Sequence, residues 1–293
     1  MIFKIWRKFM NYKMILEYDG SKYNGWQRQG NTDNTIQGKL EEILSKYFEQ
    51  DVEVNGSGRT DAGVHELGQV ANFKVYSKKT ATSSTEKIMY DLNNYLPEDI
   101  RIISLENVDE RFHARLNAKQ KTYRYTFCLD NKRSVFERKY CALLPDISLS
   151  NQKALMAEMC NLTENTFDVY NNNALSNSII PDIELMRSAS SVLLGEHDLQ
   201  GFSDTKTKKS TIRRIDDITF EIKDINNSKY LIVEYTGNGF LYHTVRLLMG
   251  TLIQIGLHNC QPSIIEEILK TKDRKKVPYM APAEGLTLVE VKY

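Results

Sequence analysis

KMILEY, residues 13–18, alternates as a strand does, and the apolar residues beyond it, Ile36, Leu40, Ile43, Leu44, Tyr47 and Phe48, recur at helical spacing. That succession of strand and helix decides the fold class. Asn34 with Gln37 predicts a capping box at the start of the helix. Strands are expected near 51–55 and 68–76, a helix over 85–95 and a strand over 101–107, giving β-α-β-α-β with further pairing. After the polar stretch Glu106–Arg111 a second series begins, with strands over 120–129, 215–223, 230–236 and 286–292 and helices between them. Val245, Leu248, Met249, Leu252 and Ile253 share one helical face, Gly256 is placed to end that helix, and Ser263 with Glu266 predicts another capping box. The pattern is that of a pseudo-duplicated α+β protein. Its expected parts are an N-terminal extension over 1–12, a first half over 13–112 and a second half over 113–293. A surface excursion rich in Asn and Ser is expected near 150–180.

At 293 residues the chain can bury a substantial core, and 41% hydrophobic with 26% charged residues is ordinary for a globular protein. No apolar run is long enough to span a bilayer. Cys128, Cys141, Cys160 and Cys260 are widely spaced without a C-x-x-C pair, which points away from zinc and disulfides and toward reduced thiols in the cytoplasm. The five histidines include no close pair, so no metal site is expected. The net charge of +1 does not announce a nucleic-acid partner, yet the positive residues are bunched. Lys206, Lys208, Lys209, Arg213 and Arg214 form one run without an acid, Lys272, Arg274, Lys275 and Lys276 another, and Lys119, Lys121 and Arg124 a third. Such runs are either solvated faces or, where they converge, phosphate contacts.

GRTDAGVH, residues 58–65, places a single carboxylate, Asp61, in a bend with little bulk around it and a planar cation, Arg59, beside it. A solvated turn is the alternative. In KTYRYTF, alternation sends Tyr123, Tyr125 and Phe127 to one face, either as core or with one ring offered to a nucleobase. Arg246 lies among the apolar residues of its helix, where its guanidinium either snorkels to water or meets an anion, and the adjacent His243 shares that ambiguity. No second carboxylate is spaced for acid/base work, and GSGRTDAG departs from a dinucleotide fingerprint because Asp61 stands where its third Gly belongs.

Taken together and in order, YDGSKYNGWQRQ (18–29), TIQGKLE (35–41), GRTDAGVH (58–65), FHARLNAKQKTYRY (112–125), GEHDLQGF (195–202), GNGFLYHTVRLLMG (237–250) and APAEGL (281–286) resemble the tRNA pseudouridine synthase A family over nearly the whole chain. The resemblance implies two α+β halves whose mostly antiparallel sheets join into one central sheet flanked by helices, with a basic cleft between the halves. It implies isomerisation of uridine to pseudouridine in the anticodon arm, at positions 38 to 40 of the tRNA, by a cytoplasmic homodimer without cofactor or metal. Asp61 then corresponds to the family's catalytic Asp, acting as nucleophile or as stabiliser of a sugar cation. Tyr123 would stack on the target uracil and assist proton transfer, Arg246 would pair with Asp61 and keep it ionised, and Arg59 would fill or prop the space of the flipped nucleotide. The basic runs are candidates for backbone phosphates. A tRNA-binding protein or chaperone on the same scaffold, a synthase acting on another RNA or site, and an aspartate-dependent hydrolase are the competing readings.

Overall fold

In a computed structural model the protein is described over residues 9–76, 83–130, 132–145, 180–206 and 210–293. The expected excursion near 150–180, Cys160, Lys208 and Lys209 lie outside the described residues. The described elements are α+β, with largely antiparallel strand pairing. They fall into two compact units, one running to Thr122 and resuming over Thr287–Tyr293, the other spanning Tyr123–Leu286. The chain thus passes from one unit to the other inside a strand at each crossing.

The first unit is built on β1 (Phe9–Tyr18), which lies between β4 (Ile100–Val108) and β3 (His65–Tyr76) and is antiparallel to both. β1 begins earlier than expected, so residues 9–12 are strand and not extension. Pairing on both sides explains this, since Phe9 still opposes Tyr76 and Asn11 opposes Val108. Asn11 is buried, and its amide donates to the carbonyls of Asp109 at 2.8 Å and Phe112 at 2.9 Å, which makes a polar residue tolerable there. β2 (Val54–Gly56) is antiparallel to β3, and β10 (Leu286–Lys292) runs parallel to it. Helix α1 (Ile36–Phe48) buries Ile36, Leu40, Leu44 and Phe48 in a core shared with Tyr12, Met14, Phe73 and, from α2 (Thr85–Tyr95), Ile88 and Leu92.

The cap of α1 differs from the expected pair. Thr35 is the N-cap and accepts from the Gly38 N–H at 3.2 Å, while the Asn34 amide reaches back to the Lys22 carbonyl. Gln37 points inward, because it bridges Gln27, Glu41 and the Val54 carbonyl in a buried network completed by the Val54 N–H donating to Glu41 at 3.1 Å.

The second unit holds β5 (Gln120–Cys128, from Tyr123 onward), β9 (Ser228–Gly237), β8 (Ile212–Ile225) and β7 (Gly195–Asp198) in that spatial order, with β6 (Ala142–Leu143) parallel to β5. Helix α3 (Ile183–Ser190) packs on α4 (Thr244–Gly256), which is apolar on nearly every side and therefore central. Gly256 does end α4, and it lies so close to Met186 that a Cβ there would meet the sulfur at 2.5 Å. At α5 (Ile264–Thr271), Ser263 is the N-cap residue but makes no side-chain cap bond, so the second expected capping box is not formed. Cys128, Cys141 and Cys260 are free thiols, and burial pushes all of them up, Cys141 to about 12.

The buried network under α1 leads to a stability expectation. Glu41→Leu leaves the Val54 N–H without an acceptor and the Gln37 amide with only the Val54 carbonyl, and should cost about 1–3 kcal/mol, measured by urea unfolding, whereas Glu41→Gln should cost less. Equal losses would show that packing, not hydrogen bonding, sets the role of Glu41.

Candidate active site

The GRTDAGVH segment leads from β2 into β3, and it is tied on both sides of Asp61. The Ser57 N–H donates to the Val70 carbonyl at 2.7 Å and the Ser57 hydroxyl to Gln69 at 2.7 Å, while Lys121 Nζ donates to the Ser57 carbonyl at 2.7 Å. On the far side, Asp61 opens a turn closed by the Val64 N–H donating to the Asp61 carbonyl at 3.2 Å. Gly63 in that turn has φ +80°, the left-handed value that a type II turn requires of its third residue. Asp61 is half-buried and Arg59 exposed.

The loop is held from beneath by the segment after β1. Tyr18 and Thr60 share a hydroxyl hydrogen bond of 2.7 Å, and the Trp26 N–H donates to the Thr60 carbonyl at 3.1 Å. Gly25 has φ +90° and lies against the loop backbone, where a Cβ would come within 2.6 Å of the Thr60 carbonyl oxygen. Trp26 is buried, stacks near Tyr18 with ring centroids 6.2 Å apart, and fills the space that the missing side chain of Gly56 leaves. Asp61 therefore sits on a backbone whose neighbours on both sides in sequence are fixed by contacts of the first unit.

Two buried titratable residues follow Asp61, and sequence reading singled out neither. His65 Nδ1 accepts from the Gly20 N–H at 3.2 Å and lies 3.3 Å from Asp19 Oδ1. Glu66, the next residue, points to the opposite face of β3, as strand alternation demands, and is only 1% exposed. Tyr18 of β1 and Leu288 of β10 oppose it across the sheet. Burial pushes its carboxyl up to about 8, against the lowering influence of the Tyr18 and Thr60 hydroxyls and the Lys121 charge. Neither carboxyl oxygen attains a fully formed hydrogen bond. Sequence carried no signal for Glu66, because it precedes the strand expected over 68–76.

In the second unit Tyr123, Tyr125 and Phe127 all face inward, as the alternation predicted. Tyr123 is 7% exposed and meets Phe240 edge-on with centroids 5.4 Å apart. Arg246 lies in the first turn of α4, partly buried, and its Nε donates to the Ala281 carbonyl at 2.8 Å while its own carbonyl accepts from the Ala281 N–H. The guanidinium thus does not simply snorkel to water. It is anchored, and its charge opposes the rise that burial imposes on Tyr125 and Tyr279.

His243, just before α4, takes a left-handed backbone with φ +66°, stacks on Tyr242 and has Nδ1 2.6 Å from Asp204. Burial works to raise the Asp204 carboxyl, but His243 and Arg274, whose Nε donates at 2.9 Å, prevail and hold it below the usual range. Asp204 was missed because nothing in its spacing links it to residues 39 and 70 positions away.

The basic runs are less available than their sequence suggests. Lys121 and Arg124 point to Ser57 and Glu234, and Arg214, Lys272, Arg274 and Lys276 pair with Asp216, Asp198, Asp204 and Glu267. Lys206 is exposed. Among the described residues no cluster of His, Cys, Asp and Glu is arranged to hold a metal, and no helix is long and apolar enough to cross a membrane.

The profile of a family described as tRNA pseudouridine synthase matches residues 14–117 and 189–293. The chain belongs to that family. Arg59, Asp61 and Arg246 fall within the matched ranges, and Tyr123 lies between them. Similar proteins include a tRNA pseudouridine synthase A of Bacillus sp. (strain KSM-64), 39% identical over 97% of this chain and 99% of that protein. A tRNA pseudouridine synthase A 2 of Bacillus anthracis and a tRNA pseudouridine synthase A of Thermoanaerobacter sp. (strain X514) are each 36% identical over the same shares. Membership of the tRNA pseudouridine synthase family and the α+β architecture agree with the resemblance read from the motif blocks.

Two measurements check this geometry. Gly25→Ala combines a left-handed backbone with a 2.6 Å approach to Thr60, so it should cost at least about 1–2 kcal/mol of stability and lower turnover by shifting the loop. Wild-type stability and activity in that variant would contradict the tight seating. Because the folded-state pKa of Glu66 lies above its unfolded value, its contribution is intact at low pH and is lost as pH rises toward about 8. The thermal midpoint should consequently fall more steeply between about pH 4.5 and about pH 8 in the wild type than in Glu66→Gln, with no further difference in slope above that range.

Proposed function

We propose that this protein isomerises uridine to pseudouridine in the anticodon arm of tRNA, with Asp61 as the catalytic carboxylate. The observation that carries this reading is the seating of Asp61, a half-buried acid on a turn fixed by Gly25, Trp26 and the Tyr18–Thr60 bond. The printed names of the relatives supply the reaction and the RNA class.

The chemistry needs a rigid carboxylate. The bond between uracil N1 and the ribose C1′ breaks, the base turns while held, C5 bonds to C1′, and the hydrogen on C5 leaves as a proton. An aspartate held close to the ribose either adds to C1′ or stabilises the positive charge that develops there, and placement within a fraction of an ångström governs its effectiveness. The target nucleotide must first leave its stack, which costs a few kcal/mol and is offset by contacts elsewhere on the tRNA. Tyr123 contributes an aromatic face for the uracil, worth about 1–3 kcal/mol, and a hydroxyl for proton transfer at the sugar. Arg246 supplies a partly buried positive charge that favours an ionised carboxylate, and Arg59 occupies the space from which the base turns. Lys206 and its run, Lys208, Lys209, Arg213 and Arg214, contact phosphates. The working form is a cytoplasmic homodimer, which sedimentation at micromolar concentration checks.

Tritium release from tRNA transcribed with 5-tritiated uridine reports the loss of the C5 hydrogen directly. The wild type should release tritium, while Asp61→Asn should bind tRNA normally and lose at least about a thousandfold in rate. Binding without release by the wild type would instead identify a tRNA-binding protein. Tyr123→Phe should preserve RNA affinity better than Tyr123→Ala, and its rate should fall if the hydroxyl moves a proton. Lys206→Ala should weaken binding to all tRNAs alike and reduce the slope of log K against log salt by about 1.

A further inference from the structure

Asp204 has no part in the reaction as described, yet its two carboxyl oxygens tie together the two segments that hold Arg246. Oδ2 lies 2.6 Å from His243 Nδ1, and Oδ1 accepts from Arg274 Nε at 2.9 Å. The backbone on either side of Asp204 grips the same place. The Ser203 hydroxyl and the Asp204 N–H both donate to the Tyr242 carbonyl, at 3.1 and 3.3 Å, and the Tyr242 N–H donates to the Thr205 hydroxyl at 3.3 Å. Residues 203–205 thus clasp 242–243, which lead directly into α4. That helix starts without a side-chain cap and from His243 at φ +66°, a left-handed conformation that a residue with a side chain keeps only when its surroundings hold it there. The His243 carbonyl accepts from the Leu247 N–H at 3.0 Å, so the turn that carries Arg246 begins on the residue whose ring Asp204 pins.

The second hold on Arg246 is Ala281, which accepts from the guanidinium Nε at 2.8 Å and donates its N–H to the Arg246 carbonyl at 3.1 Å. Ala281 ends the segment that begins at Arg274, the other partner of Asp204, and between them the Tyr279 carbonyl lies against Gly250 of α4 too closely for a Cβ. The contacts close a ring, from Asp204 through His243 to Arg246, on to Ala281, and back along 274–281 to Asp204. We propose that Asp204 is a positioning residue for Arg246, fixing the start of α4 against the segment 274–281 so that the guanidinium keeps one orientation. The proposal rests on the reading of Arg246 as the charge that keeps the catalytic carboxylate ionised. Without the Asp204 side chain, the His243 ring and Arg274 lose the acceptor they share, the left-handed start of α4 loses a support, and its first turn shifts relative to Ala281. A displacement of about 1 Å in a group that acts by its charge and direction is enough to lower a rate tenfold or more.

The test is a double-variant cycle in single-turnover tritium release from tRNA, using the full chain with Asp204→Ala and Asp204→Asn, each alone and combined with Arg246→Met, and an Asp61→Asn control. Asp204→Ala should lower the rate at saturating tRNA by about tenfold and change the half-saturating concentration by less than about twofold. Asp204→Asn should restore the rate to within about threefold, because its amide oxygen accepts from Arg274 while its NH2 donates to a neutral His243 Nδ1. In the Arg246→Met background Asp204→Ala should change the rate by less than about twofold, since the group being positioned is gone. Circular dichroism at the assay temperature checks that each variant is folded, and Asp204→Ser replaces Asp204→Ala in the cycle if the latter is not. A full rate in Asp204→Ala, a defect confined to the half-saturating concentration, or losses that multiply in the double variant overturn the proposal and leave the role of Arg246 standing. A full rate in Arg246→Met overturns the role of Arg246 and the proposal with it, and release that persists in Asp61→Asn overturns the reading of Asp61.

Discussion

The contact on which the first unit depends is the approach of the segment 18–26 to the backbone of residues 60–62. Gly25 lies against two consecutive peptide groups there, Trp26 donates to one of them, and Tyr18 clasps the Thr60 side chain. These residues come from the end of β1 and the connection after it, so the position of Asp61 is inherited from the register of β1 against β3. A slip of one residue would turn Tyr18 to the other face and release Thr60. The long pairing of β1 on both edges, with buried Asn11 satisfied at its start, makes such a slip costly. Register in the sheet and placement of the acid are one constraint.

In the second unit, the side chains singled out from the sequence occupy elements that are otherwise core. Tyr123 belongs to a strand face shared with Tyr125 and Phe127, and Arg246 to the one helix that is apolar nearly all round. This arrangement trades freedom for accuracy. A ring packed edge-on against Phe240 and a guanidinium bonded to the Ala281 carbonyl have few other orientations. The left-handed His243, tied to Asp204, fixes where α4 begins and hence the direction of its first turn.

Much of this was legible in the sequence, and the remainder was hidden for identifiable reasons. Periodicity located α1, α2 and most strands because each presents one apolar face to a core, and the motif blocks pointed to the family to which the chain belongs. Both capping boxes were misjudged, since Gln37 was drawn into a buried network and Ser263 forms no side-chain cap. Local spacing cannot show that competition. The start of β1 was missed because its first residues are mixed in character and become strand only through partners some sixty and ninety positions away. Glu66 and Asp204 escaped notice because their importance comes from burial beside distant groups, which pattern reading does not see.

Charge illustrates the same limit from another side. The three basic runs suggested a ready phosphate surface, yet six of their members bind partners within their own units. Exposed pairs of this kind are weak, on the order of 1 kcal/mol or less, so an RNA phosphate can replace a carboxylate at little cost. What such pairs do provide is orientation, because Lys272 and Arg274 are held by Asp198 and Asp204. A nearly neutral chain can thus bunch its cations in sequence and still spread their charge in space, because each is distributed among acids rather than left in an unbroken field.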